Sequence, residues 1–166
     1  MDHVQQNIKR GHDRFAKYVI PVLVQNGWPA KWQCMAGTED DKHHGIDYYV
    51  NKTPVAARIW DGQPKKHFAL RWYNTQRPER LRFELTKLLE LWANNHLMPK
   101  YTIEAHTYNN RTTIAVCQTH VLATVLAKHH PRLPQFIVNN HDGTYTVFVR
   151  VAFDLFPPDA VRMFTG

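Results

Sequence analysis

Asp47 lies inside the apolar run GIDYYV, Arg58 inside VAARIW and Arg71 inside HFALRWY. Each is a charge in the middle of a strand-like segment. Charges withdrawn from water are costly unless paired, so the three are expected to meet. A carboxylate held on a rigid strand suits Mg2+, a hard cation that takes oxygen donors. Two arginines beside it suit phosphate, because the guanidinium fork binds two oxygens at once. Two readings are open at this point. One is a structural ion-pair cluster. The other is a site in which Asp47 holds a metal while Arg58 and Arg71 hold phosphate.

Further charged groups could join that site. Glu84 and Lys87 are three residues apart in a helical stretch, which puts them side by side. They are either a solvated surface pair or a second acid with a cation beside it. Glu39, Asp40 and Asp41 precede the Asp47 strand closely enough for Asp41 to supply a metal ligand. Lys65, Lys66, Arg77, Arg80 and Arg82 surround the strand of Arg71, interleaved with Trp60, Trp72 and Tyr73. Basic side chains among aromatics suit nucleic acid, and they also commonly cover a sheet edge. The histidines form no HxxxH or HExxH pattern, and no Walker loop, GxGxxG or GxSxG occurs.

The elements that must position these groups can be read from periodicity. Residues 2–26 carry Val4, Ile8, Phe15, Tyr18, Val19, Val22 and Leu23 near one helical face, with Pro21 as a kink. KWQCMA reads as a short strand and Gly37 to His44 as a polar turn. The three strands 45–50, 55–60 and 67–73 are close enough to predict an antiparallel meander. If Ile46 and Tyr48 face the core, Asp47 points to the opposite face. Arg77 to Asn95 is a helix with a stripe of Leu81, Leu85, Leu88, Leu89 and Trp92. Strands follow at 101–108 and 111–118 across Asn109-Asn110, then a helix at 120–129. A hairpin of 135–138 with 144–153 turns on Asp142-Gly143, and the tail from Pro157 reads as irregular or a short helix. The expectation is one α/β domain over residues 1–166, with a mixed central sheet flanked by helices.

The totals bound what such a domain can be. Lys plus Arg number 21 against 14 Asp plus Glu, a net charge of +7 that favours polyanions. At 43% apolar residues, 166 residues can build a full core. Cys34 and Cys117 form no CxxC and sit in apolar runs, so both are expected as buried thiols. The N-terminal stretch has no signal-peptide core and no apolar run approaches ~20 residues, so a cytoplasmic location with no membrane contact is the default.

In order, a helix, a strand with Asp47, a hairpin, a strand with Arg58, a further strand and a helix resemble the PD-(D/E)XK superfamily, over residues 1–108. The resemblance implies a restriction-endonuclease-like fold, with an Asp and an acid-x-Lys triplet binding Mg2+ and orienting a water. Asp47 matches the metal-binding Asp, and Arg58 stands where the lysine would. The acid of the triplet falls on Ala56, and Glu84 is the candidate for an acid supplied from a helix instead. The implied activity is Mg2+-dependent hydrolysis of DNA. On that reading Asp47, Arg58 and Glu84 are catalytic, and Asp47, Glu84 and Asp41 hold metal. Arg71, Lys65, Lys66, Arg77, Arg80 and Lys87 hold phosphate. A second reading is a nuclease-fold protein, phage-encoded, that binds nucleic acid or a host protein without cutting. A third is a basic interaction domain with an internal ion network. A homodimer is compatible with the first.

Overall fold

In the computed structural model, residues 3–74, 84–140 and 142–166 are described. Arg77, Arg80 and Arg82, and with them the first residues of the helix expected over Arg77 to Asn95, lie outside the described residues. The chain is α/β with a mixed sheet, as its alternating strand and helix patterns predict.

The N-terminal helical stretch divides into α1 (His3–Tyr18) and α2 (Ile20–Gln25). Pro21 has no N–H to continue the ladder, so the break falls beside it. Phe15, Val19, Val22 and Leu23 still face one core. After β1 (Trp32–Cys34), the polar stretch read as a turn is instead a helix, α3 (Glu39–His44). Thr38 caps it, and three acids stand in the first turn with Lys42, His43 and His44 in the last. That charge order complements the helix dipole. Gly45 ends it at φ 66, a left-handed conformation that glycine adopts without penalty. β2 (Tyr48–Val50) and β3 (Thr53–Asp61) form a hairpin, with Asn51 and Lys52 both at positive φ in the turn.

The expected meander stops at β3. Its other neighbour is β5 (Tyr101–Tyr108), paired in parallel, whereas β4 (His67–Asn74) pairs with β8 (Tyr145–Ala152) in a second sheet. With β6 (Arg111–Gln118), β7 (Gln135–Asn139) and β9 (Arg162–Thr165), the first sheet runs β1-β2-β3-β5-β6-β9 and the second β4-β8-β7. β6 and β7 complete the two predicted hairpins. The tail is also corrected: after a single 3-10 turn at Phe153–Leu155, Arg162–Thr165 forms β9 along the edge of β6. α4 (Glu84–Ala93) and α5 (Thr119–His129) pack on each other, α4 also against β4 of the second sheet and α5 against β6 of the first.

β6 shows how the layers stack. Ile114 and Val116 enter a core with α1 and α2, while the alternating Ala115 and Cys117 enter a second core with α4, α5 and β8. The first sheet is therefore the middle layer. Cys34, expected to be buried, is exposed because β1 is an edge strand with few neighbours, and Cys117 is buried as expected. Among the described residues no helix is long and apolar enough to cross a membrane.

Candidate functional site

Ile46 and Tyr48 are both buried, so Asp47 does point to the opposite face of the strand. It lies just before β2 and extends the pairing: its N–H donates to Val55 O and its carbonyl accepts from Met35 N, each at 2.9 Å. Its carboxylate turns across the hairpin and accepts from Ala57 N at 2.8 Å. Burial, with the carboxylates of Asp41 and Glu84 adding to it, raises its pKa to about 7, although the Ala57 N–H and Arg58 favour the charged form.

Arg58 and Glu104 are direct neighbours across the parallel β3–β5 pair. Both side chains reach the same residue of the second sheet. Ala69 N donates to the Glu104 carboxylate at 3.0 and 3.3 Å, and Ala69 O accepts from Arg58 Nη1 at 3.0 Å. The reason is β4's position: it is an edge strand, with one side paired to β8 and the other carrying unsatisfied backbone groups. Two residues on, Arg71 N donates to Glu84 Oε2 at 3.1 Å. Glu84 also forms an ion pair with Arg58, and lies 3.9 Å from Arg71 Nε. Side chains from β3, β5 and α4 thus stitch the open edge of the second sheet to the first. Arg58 also lies over the Trp60 and Phe148 rings, 5.6 Å from each centroid.

The predicted charges do meet, and they divide into two groups. Arg58, Glu84 and the unforeseen Glu104 hold the sheets together. Burial raises the Glu104 pKa to about 8, against the pull of Arg58 and the Ala69 N–H. Asp41, Asp47, Arg71 and Lys87 line a cavity of about 620 Å³, together with His12 of α1 and His44 of α3. Arg58 and Glu84 form part of its wall.

Lys87 Nζ donates to Lys42 O at 2.6 Å, fixing the start of the α4 side chain row against the end of α3. Burial and the Arg71 charge push its pKa below the usual lysine value, while Asp41, Glu84 and Asp47 oppose them. The charge of Arg58 acts first in pushing Arg71 down; its side chain remains 51% exposed. His12 Nδ1 lies 3.0 Å from Tyr48 Oη, and burial lowers its pKa. Asp41 Oδ2 accepts from Gly37 N at 2.8 Å. Lys65 and Lys66, in the β3–β4 connection, do not line the cavity and are exposed.

Two contributors escaped the sequence reading. Glu104 sits in YTIEAHTY, an acid inside a strand at 101–108. His12 sits on α1 two turns after the start of a pattern read for packing. The same signal that singled out Asp47, a charge inside a strand, was present at Glu104. No family model, no curated protein and no solved structure matches the chain.

Proposed function

We propose that the cavity around Asp47 binds a phosphodiester of nucleic acid, and that the protein is a divergent, endonuclease-like member of the PD-(D/E)XK type. The observation that carries the reading is the grouping of Asp47 and Asp41 with Lys87 and Arg71 around one cavity. Acids and cations gathered in a partly water-excluded site suit a phosphate that arrives with a dication. Lys87, on the face of α4, supplies the lysine charge that Arg58 does not, because Arg58 is committed to Glu84 and Ala69.

The donor set bears on Mg2+. Asp47 and Asp41 offer hard carboxylate oxygens, and Asp41 is the charged group acting most strongly on Asp47. Among the described residues no group of three His, Cys, Asp or Glu side chains is placed to hold a metal. A cation here would be held by these two acids with water completing its shell, a sparse mode that Mg2+ accepts. When bound it would supply Lewis-acid polarisation of a phosphoryl oxygen and of a water. The chain's own part is to hold the phosphate charge with Arg71 and Lys87 and to keep Asp47 oriented through the Ala57 N–H.

A second reading, binding without cleavage, is favoured by one observation. Ala56 brings no carboxylate, and Glu84, the candidate replacement, is tied to Arg58 and to Arg71 N. Labelled DNA incubated with Mg2+ separates the two. Cleavage by the wild type and none by Asp47→Ala supports the first; binding by both with no cut strand supports the second. Loss of neither binding nor cleavage in Asp47→Ala and Lys87→Ala would remove the cavity from both.

A further inference from the structure

α1 does more than pack against the sheet. Asn7, Ile8, Gly11 and His12 line the Asp47 cavity, while Lys9, Arg10, Lys17 and Tyr18 border a shallow groove of about 470 Å³ on the adjoining side of the same helix. Lys9, Arg10 and Lys17 are exposed and make no ion pair among the described residues. Asp13 stands one turn from both lysines and pairs with neither. Arg14 differs: its guanidinium is taken by Asp61, with Thr107 at 3.0 Å, and it anchors α1 to the ends of β3 and β5. A solvated helix face ordinarily interleaves opposite charges as pairs one turn apart. Among the described residues this face leaves three cations without an ion pair beside one acid.

We infer that the exposed face of α1 is a track for the nucleic-acid backbone, leading to the Asp47 cavity. The inference rests on the proposed reading of that cavity for its direction, and on the helix's own charges for its chemistry. Lys9 and Lys17 are eight residues apart, about 12 Å along the axis at 1.5 Å per residue. Along a duplex axis that length spans about four phosphates of one strand, at a rise of 3.4 Å each. Tyr18 is 40% exposed at the far end of the groove, with Lys17 Nζ 4.9 Å from its ring centroid. An exposed ring beside a cation is the arrangement on which an unpaired base stacks. The continuity of the helix with the cavity wall favours nucleic acid over an acidic lipid surface, because a flat membrane could meet the cations of α1 but not enter the cavity beside them. Phe15, Val19, Val22 and Leu23 face the core, and the exposed Ile8 lies on the wall of the Asp47 cavity rather than on the cationic face.

The test is a fluorescence-anisotropy titration of a labelled oligonucleotide, single-stranded and duplex, over a range of salt concentrations. Four proteins are compared: wild type, Lys9→Glu/Arg10→Glu/Lys17→Glu, the same three positions as Gln, and Arg71→Ala/Lys87→Ala. Thermal melts confirm folding, and the Gln triple keeps the test valid if three acids prove unstable. The track predicts at least tenfold weaker binding in both triples and a salt slope reduced by about 2 to 3, near 0.9 per lost phosphate contact. Affinity and slope unchanged in both triples would overturn it. If the triples bind normally and Arg71→Ala/Lys87→Ala does not, the track fails while the cavity reading stands. If the triples lose binding and the cavity variant keeps it, the track holds and the cavity reading fails. A wild type that binds acidic phospholipid vesicles but no oligonucleotide overturns both.

Discussion

Glu104→Gln gives a defined test of how the two sheets are joined. The substitution keeps an oxygen to accept from Ala69 N and removes the carboxylate that burial disfavours. In the wild type the Glu104 pKa rises from 4.5 to about 8. The native state therefore holds a proton that the unfolded chain has released, and stability falls as pH rises through 8. Integrating between pH 7 and 8.5, this one group removes about 1 kcal/mol, or about 2–4 °C in Tm for a chain of this size. Asp47, raised to about 7, has the same sign but is largely titrated by pH 7.5. His12, His67, His106 and His130 are pushed below 6.5 by burial, so their effect has the opposite sign and falls below this window. Melting curves of both proteins at pH 7 and 8.5 provide the assay. The wild type should lose about 1 kcal/mol more across that interval than Glu104→Gln. An equal loss in the two proteins would refute the reasoning, because it would place the Glu104 proton elsewhere.

Other consequences follow from the same contacts. Arg58→Ala leaves Glu84 and Ala69 O without their shared partner, and should cost about 3 kcal/mol in a urea melt, the low end for a buried pair because Glu84 is 30% exposed. A loss under ~1 kcal/mol would mean that the cluster is freely hydrated. Cys34 is exposed whereas burial pushes the Cys117 thiol up, so a thiol reagent should modify one cysteine per native chain and two after denaturation. Lys87→Ala should weaken DNA binding in the proposed cavity at least tenfold while moving Tm by only a few degrees, since its one hydrogen bond is an exposed contact from α4 to α3.

Local signals were the legible ones. Asn109-Asn110 sits at φ 49 and 59 between β5 and β6, and the alternation of Ile46, Asp47 and Tyr48 gives the face of each side chain. Partner choice was not legible. HFALRWY looks the same whether it pairs with β3 or with β8, because alternation encodes a face and not a neighbour. α3 was hidden by its polarity: none of its residues is buried, and its helix rests on a cap, charge order and Gly45. The expectation that Asp47, Arg58 and Arg71 gather was a statement about charge burial, and the structure does bring them to one cavity. It could not show that β4 would be an edge strand, which is what draws Arg58, Glu84 and Glu104 into structural service.

The claim that the Asp47 cavity handles a nucleic-acid phosphodiester is met most directly by incubating one labelled duplex and one labelled single strand with Mg2+, wild type beside Asp47→Ala and Lys87→Ala. The account predicts that the wild type retains or cuts at least one of the substrates, that Lys87→Ala sharply weakens its retention, and that any cutting is abolished in Asp47→Ala. A wild type that neither binds nor cuts, or variants indistinguishable from it in folded form, would contradict the account.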